Sequence, residues 1–162
     1  MAIVARWIRI DRGAAVALRA TFAAFARAQS RFSRPAVLWG RTGESGCAFA
    51  LVAPFKFAPG RRQRWHAWAL APLVAAWRRH GVRACLETDS VSLSGERIAA
   101  SESTAVGDCA LVVCSLDWPE REFMETLRER IGSQHGWQFD HCWPSNAERL
   151  AMAGVLADAD AG

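Results

Sequence analysis

Lysine is almost missing from this chain. Of its 20 basic residues only Lys56 is a lysine, so chemistry that needs a side-chain amine has one candidate. Long apolar runs are missing too. No stretch approaches about 18 uninterrupted apolar residues, which leaves no sequence signal for a membrane-spanning helix. The opening MAIVARWIRI lacks the charged start, apolar core and small-residue cleavage site of a secretory signal. Cysteines are present but unpatterned: Cys47, Cys85, Cys109, Cys114 and Cys142 are odd in number and form no regular disulfide framework. Together these absences predict a cytoplasmic protein with reduced thiols and no membrane partner.

What is present describes a packed domain. The 162 residues are 51% hydrophobic and 22% charged, enough for one core and too few for two sizeable domains. Residues 1–157 read as a single domain and 158–162 as a small acidic tail that frays. The net charge of +4 admits a phosphate-bearing ligand or an acidic partner, but falls short of a nucleic-acid footprint.

Periodicity gives the element order β-α-β-β-α-β-β-β-β-α-α. Residues 3–10 read as a strand, and Leu18, Phe22 and Phe25 form one stripe of a helix over 14–29. Ala36–Trp39 and Cys47–Val52 read as strands around a glycine-rich loop, Gly40–Gly46. Trp65, Trp68, Leu73, Ala76 and Trp77 mark a helix capped by Gly81, which Pro72 is expected to kink or divide. Val82, Ala84 and Leu86 alternate as a strand. Val91 and Leu93, the Ser94-Gly95 turn and a strand opening at Ile98 predict a hairpin. An apolar strand over Ala110–Val113 follows. Pro119, Glu120 and Glu122 begin a helix with Phe123, Leu127 and Ile131 on its apolar face and Gly132 as its stop. Ser145 and Glu148 have capping-box spacing for a last helix. Hairpins mixed with helices on one side predict an α+β fold with a mixed, mostly antiparallel sheet.

Several clusters invite a functional reading and carry a plainer one. The Gly40–Gly46 loop has backbone donors for a phosphate, yet fits neither the Walker pattern nor GxGxxG, and a hairpin connection accounts for it. Arg61, Arg62, Arg64, Trp65 and Trp68 would make a basic-aromatic surface, but the tryptophan spacing is that of a buried helix face. His135, His141 and Cys142 have no metal-ligand spacing, so no metal is expected; aromatic packing with Trp137, Phe139 and Trp143 explains them. A nucleophilic Cys109 or Cys114 paired with a histidine stays open beside burial of these thiols as small apolar groups.

Three segments resemble the lipoate-protein ligase family, whose fold is shared with biotin protein ligases and octanoyltransferases. They are RFSRPAVLW (31–39), GESGCAFALVAP (43–54), and the helix over 61–81 followed by VRACLETDSVSLSGERIAAS (82–101). The resemblance implies the class II biotin/lipoate ligase catalytic core, with ATP and lipoate or octanoate as cofactors if the family chemistry survives. It implies a lipoyl-type carrier domain, or another protein, as partner. Its site residues map onto Arg31, Ser33, Arg34, Trp39 and Ser101 for substrate binding and Arg97 for catalysis.

The departures are specific. Ser33-Arg34-Pro35 replaces the family's Gly-rich turn, Trp39 its histidine, Arg97 its catalytic lysine, and Ala100-Ser101 its Gly-Ser. Arg97 keeps a permanent charge and a bidentate fork, but not a compact ammonium. Losing one preorganised donor typically costs about 100–1000-fold in rate, so these changes imply a binding module that has lost ordinary adenylation. An active lipoyl or octanoyl ligase or acyltransferase, acting on a carrier-domain lysine, is the alternative.

Overall fold

The computed structural model describes residues 3–10, 15–42, 46–117, 121–140 and 143–161. In chain order it contains β1 (Ile3–Arg9), α1 (Ala15–Arg27), β2 (Ala36–Thr42), β3 (Gly46–Pro54), α2 (Trp65–Arg79), β4 (Cys85–Leu86), β5 (Ser90–Leu93), β6 (Glu96–Val106), β7 (Cys109–Asp117), α3 (Arg121–His135), β8 (Trp137–Asp140) and α4 (Asn146–Ala161). Short 3-10 turns at Phe55–Phe57 and Arg62–Arg64 bridge β3 to α2. One eight-stranded sheet runs β4-β5-β6-β7-β3-β2-β1-β8. It is antiparallel from β4 to β2, while β1 pairs in parallel with both β2 and β8. The fold is therefore α+β with a mixed, mostly antiparallel sheet.

The helices lie on both faces, not on one. The pleat sends alternate residues of each strand to opposite sides. Phe49, Leu51, Val112 and Cys114 pack under α2 and α3, whereas Leu38, Ala50, Leu111 and Val113 pack with α1 and α4. A strand with helices over both faces must be apolar throughout, and β3 is buried from Cys47 to Pro54. Leu18, Phe22 and Phe25 form the expected stripe of α1 and are fully buried. Burial of such side chains contributes roughly 1.5–3 kcal/mol each.

Pro72 does not divide α2, which runs unbroken from Trp65 to Arg79. A proline removes the amide that would bond the carbonyl four residues back, here that of Trp68. His135 supplies the missing donor: its Nε2–H reaches the Trp68 carbonyl at 2.8 Å, and its ring stacks on Trp68 with centroids 5.4 Å apart. The C-terminus behaves as expected. Gly81 takes φ +82°, and Val82 N–H and Gly81 N–H bond the carbonyls of Trp77 and Arg78.

Two sequence expectations fail in α3 and beyond it. Gly132 does not stop α3; the helix continues to His135 and turns out at Gly136, whose φ is +70°. Gly132 is instead a close-approach residue, because a Cβ there would sit 2.8 Å from the Trp137 carbonyl. That carbonyl belongs to β8, a strand absent from the sequence reading, whose Trp137 and Phe139 alternate toward the α2/α3 side. Conversely, the strand expected over 82–86 shrinks to Cys85–Leu86. Pro119, Glu120, His141 and Cys142 lie outside the described residues. Helix α4 runs to Ala161 and so includes residues assigned to the acidic tail.

One ion pair ties the first strand to the last helix. The Arg6 guanidinium donates to both carboxylate oxygens of Glu148 at 2.8 and 2.9 Å, and to Gln29 Oε1 at 2.8 Å. Gln29 in turn donates to Glu148. Ser145 and Glu148 complete the expected capping box: Ser145 N–H donates to Oε1 at 2.8 Å, and Glu148 N–H to Ser145 Oγ at 3.2 Å. Burial pushes the Glu148 carboxyl up, but the donors and the Arg6 charge outweigh it and hold the group at about 2.

Candidate functional site

The hairpin of β5 and β6 sets the site. Ser94 and Gly95 occupy the turn with φ of 54° and 81°, the two positive values that match a two-residue connection to the strand twist. Just beyond it the register slips. Val91 faces Ala99 and Ser92 faces Arg97, so Ile98 is the extra residue of a bulge. Bulges re-aim neighbouring side chains, and this one stands directly beside Arg97.

Arg97 is exposed and lines an open concavity of about 300 Å³ at the end of the sheet where β2 leads to β3. Thr42, Gly46 and Cys47 form one side, Ile98–Ala100 another, and Ser115–Asp117 the third. Among the described residues the Arg97 guanidinium has no ion pair or hydrogen bond; its charge is available to a ligand. Asp117 gives the rim one carboxylate. Cys47 reaches the wall but is only 1% exposed, and burial pushes its thiol up to about 12, with the Arg41 charge opposing. Arg41 thus adds a second positive charge near the same concavity.

The other expected site residues fall in different places. Trp39 lies half-buried on β2, its ring 6.2 Å from that of Trp7 and beneath the Arg9 guanidinium at 5.2 Å. It shares a transverse row with Phe49, Cys114 and Ser101 across β3, β7 and β6. Ser101 is buried, and its hydroxyl is already engaged: it donates to the Asp89 carbonyl at 3.1 Å and meets His66 Nδ1 at 2.6 Å. Arg31, Ser33 and Arg34 precede β2, at the opposite end of the sheet. The row containing Ala36 reaches β6 at Thr104, seven residues past Arg97, or about 20 Å along the strands. There Arg34 pairs with Asp140 at 3.8 Å, Arg31 stacks on Phe32, and Ser33 Oγ accepts the Ser30 N–H at 2.9 Å. The structure therefore joins Arg97 to the β2/β3 end but does not bring Arg31, Ser33 or Arg34 to it.

No protein-family model and no curated protein matches the chain. Solved structures do. Lipoate-protein ligase A bound with ATP superposes with a TM-score of 0.81 at 9% identity, covering 96% of this chain and 95% of that one. The bipartite lipoate protein ligase and E2 lipoyl domain system of Thermoplasma acidophilum gives 0.78 at 9% identity, with 96% and 92% covered. The fold is that of the lipoate and biotin protein ligases. A biotin acetyl coenzyme A carboxylase synthetase from Helicobacter pylori, with bound biotinylated ATP, shares it less fully: TM-score 0.58, 9% identity, 79% and 74% covered.

Within this lipoate/biotin ligase-like fold the plainer clusters resolve. Trp65 and Trp68 are buried on α2 while Arg61, Arg62 and Arg64 are exposed, which is the helix-face reading. His135 lies within the Trp68–Trp137 aromatic packing, and burial holds its imidazole below its ordinary value. Trp143, by contrast, is 84% exposed and outside that packing. Cys109 and Cys114 are fully buried; burial pushes the Cys109 thiol to about 11 and raises Cys114 further, the wrong direction for a thiolate nucleophile. Among the described residues no cluster of three or more His, Cys, Asp or Glu side chains offers a metal site, and no helix is long and apolar enough to cross a membrane.

Proposed function

We propose that the chain is a lipoate-ligase-like binding module, which takes a lipoyl or octanoyl group, or the carrier domain bearing it, without forming the acyl-adenylate. The observation that carries this reading is the exposed, unengaged Arg97 guanidinium on the concavity at the β2/β3 end. A planar fork there suits a carboxylate or phosphate at the head of an acyl ligand. Supporting the loss of adenylation is the replacement of the family's compact lysine ammonium by the larger, planar guanidinium of Arg97. Phosphoryl charge developing at a reacting centre needs several fixed donors, and each loss is severe.

The retained positive charge at the same position favours the second reading, an active lipoyl or octanoyl ligase. Incubation with ATP and lipoate or octanoate separates the two. The binding-module reading expects no acyl-AMP above background, and accumulation of acyl-AMP establishes the ligase instead. In that case Arg97→Ala should abolish transfer to a lipoyl domain.

A further inference from the structure

A different set of side chains, distant from Arg97, has the arrangement of a nucleophile with its base. His66, in the first turn of α2, lies between two serines of β6. Ser101 and Ser103 point to the same side of that strand because they are two residues apart. The hydrogen bonds accommodate an imidazole protonated on Nδ1. In that arrangement the Ser101 hydroxyl directs its proton to the Asp89 carbonyl, 3.1 Å away, and at 2.6 Å accepts from His66 Nδ1–H. That leaves Nε2 as the acceptor nitrogen, and Ser103 Oγ stands 3.3 Å from it. A hydroxyl, an imidazole acceptor aimed at it and a third group orienting the imidazole are the three parts of an activated serine.

Two further features complete the surroundings. Arg62 donates from Nη2 to the Ser103 carbonyl at 2.9 Å, which holds an exposed guanidinium against the Ser103 backbone. The same guanidinium sits 5.8 Å from the Trp65 ring, against which the 46% exposed Phe55 stacks. Cation and apolar wall are thus linked through one side chain. Ser103 and His66 are themselves half-buried.

We propose that Ser103 and His66 form an esterolytic pair acting on activated esters of apolar carboxylic acids, independent of the Arg97 concavity. Ser103 Oγ attacks the ester carbonyl as its proton passes to His66 Nε2. Arg62, tethered to the Ser103 backbone, supplies a cation for the oxyanion. Collapse breaks the bond to the alcohol, which takes the proton from His66 and leaves the acyl group on Ser103. Water, deprotonated by the same nitrogen, then releases the acid and restores the hydroxyl. Ser101 is a positioning residue that fixes the tautomer.

The test uses the full chain with p-nitrophenyl butanoate, following nitrophenolate release and the mass of the peptide carrying Ser103. The expected result is hydrolysis with one butanoyl group trapped on Ser103. Ser103→Ala loses the adduct, and His66→Asn lowers the acylation rate by about 100-fold or more. Ser103→Cys keeps acylation, now as a thioester, a rescue that a merely structural hydroxyl would not give. Absence of an adduct on the wild-type peptide overturns the proposal, as does turnover undiminished by Ser103→Ala or His66→Asn. Adduct mapping on the wild type decides the matter even if a variant misfolds.

Discussion

At the scale of single residues, the chain uses polar groups in two opposite ways. Glu148 is enclosed and fully partnered, while Arg97 is open and unpartnered among the described residues. Removing the partner of a buried charge is costly, so Glu148→Ala should lose about 3–5 kcal/mol in chemical denaturation. Arg97, by contrast, is exposed, and Arg97→Ala should leave stability within about 0.5 kcal/mol of wild type. The capping box at Ser145 and Glu148 was readable from spacing alone. Its link to Arg6 was not, because a separation of 142 residues leaves no local trace in the sequence.

At the scale of elements, turns and caps follow local chemistry and therefore read well. The Ser94-Gly95 turn needs two positive φ values, and only glycine adopts them without strain. Replacing Ser94 by Asn should stabilise the hairpin slightly, whereas Gly95→Ala should cost about 1 kcal/mol in thermal unfolding. Pro72 and Gly132 were misread for a common reason: each is a helix breaker by local rule, and a distant residue reverses the rule. His135 satisfies the carbonyl that Pro72 orphans, and the β8 carbonyl of Trp137 requires the missing side chain of Gly132. His135→Ala should destabilise by about 1–3 kcal/mol, since the Trp68 carbonyl loses its partner. In a Pro72→Ala background the cost should be smaller, because the restored amide can bond that carbonyl; additive costs in the double-mutant cycle would contradict it. β8 itself was missed because four residues carry only two turns of alternation, too short a pattern to stand out beside the helix before it.

For the whole molecule, acid stability follows from two groups whose surroundings favour release of the proton, His135 by burial and Glu148 by its donors. Burial lowers the proton affinity of His135, so the unfolded chain binds protons first and stability declines as pH falls below about 6.5. Glu148, held at about 2 against an ordinary value near 4.5, adds a second loss as pH falls from about 4.5 toward 2. Denaturation midpoints followed from pH 8 to 3 should show both steps, and His135→Gln should remove the earlier one. The lipoate/biotin ligase-like fold was legible because the order of strands, helices and hairpin survives even at 9% identity to its structural neighbours. The candidate sites were legible only in part. Arg97 stood out by its place in the hairpin, whereas the approach of His66 to Ser101 and Ser103 depends on how α2 crosses the sheet. Central to the proposed function is an Arg97 guanidinium that would hold the anionic head of an acyl ligand. Calorimetric titration of lipoate into wild type and Arg97→Ala tests it most directly. The account predicts saturable binding that weakens by about 10–100-fold in the variant, the equivalent of one charge-assisted hydrogen bond. Equal affinity in the two proteins, or no binding to the wild type, would contradict it.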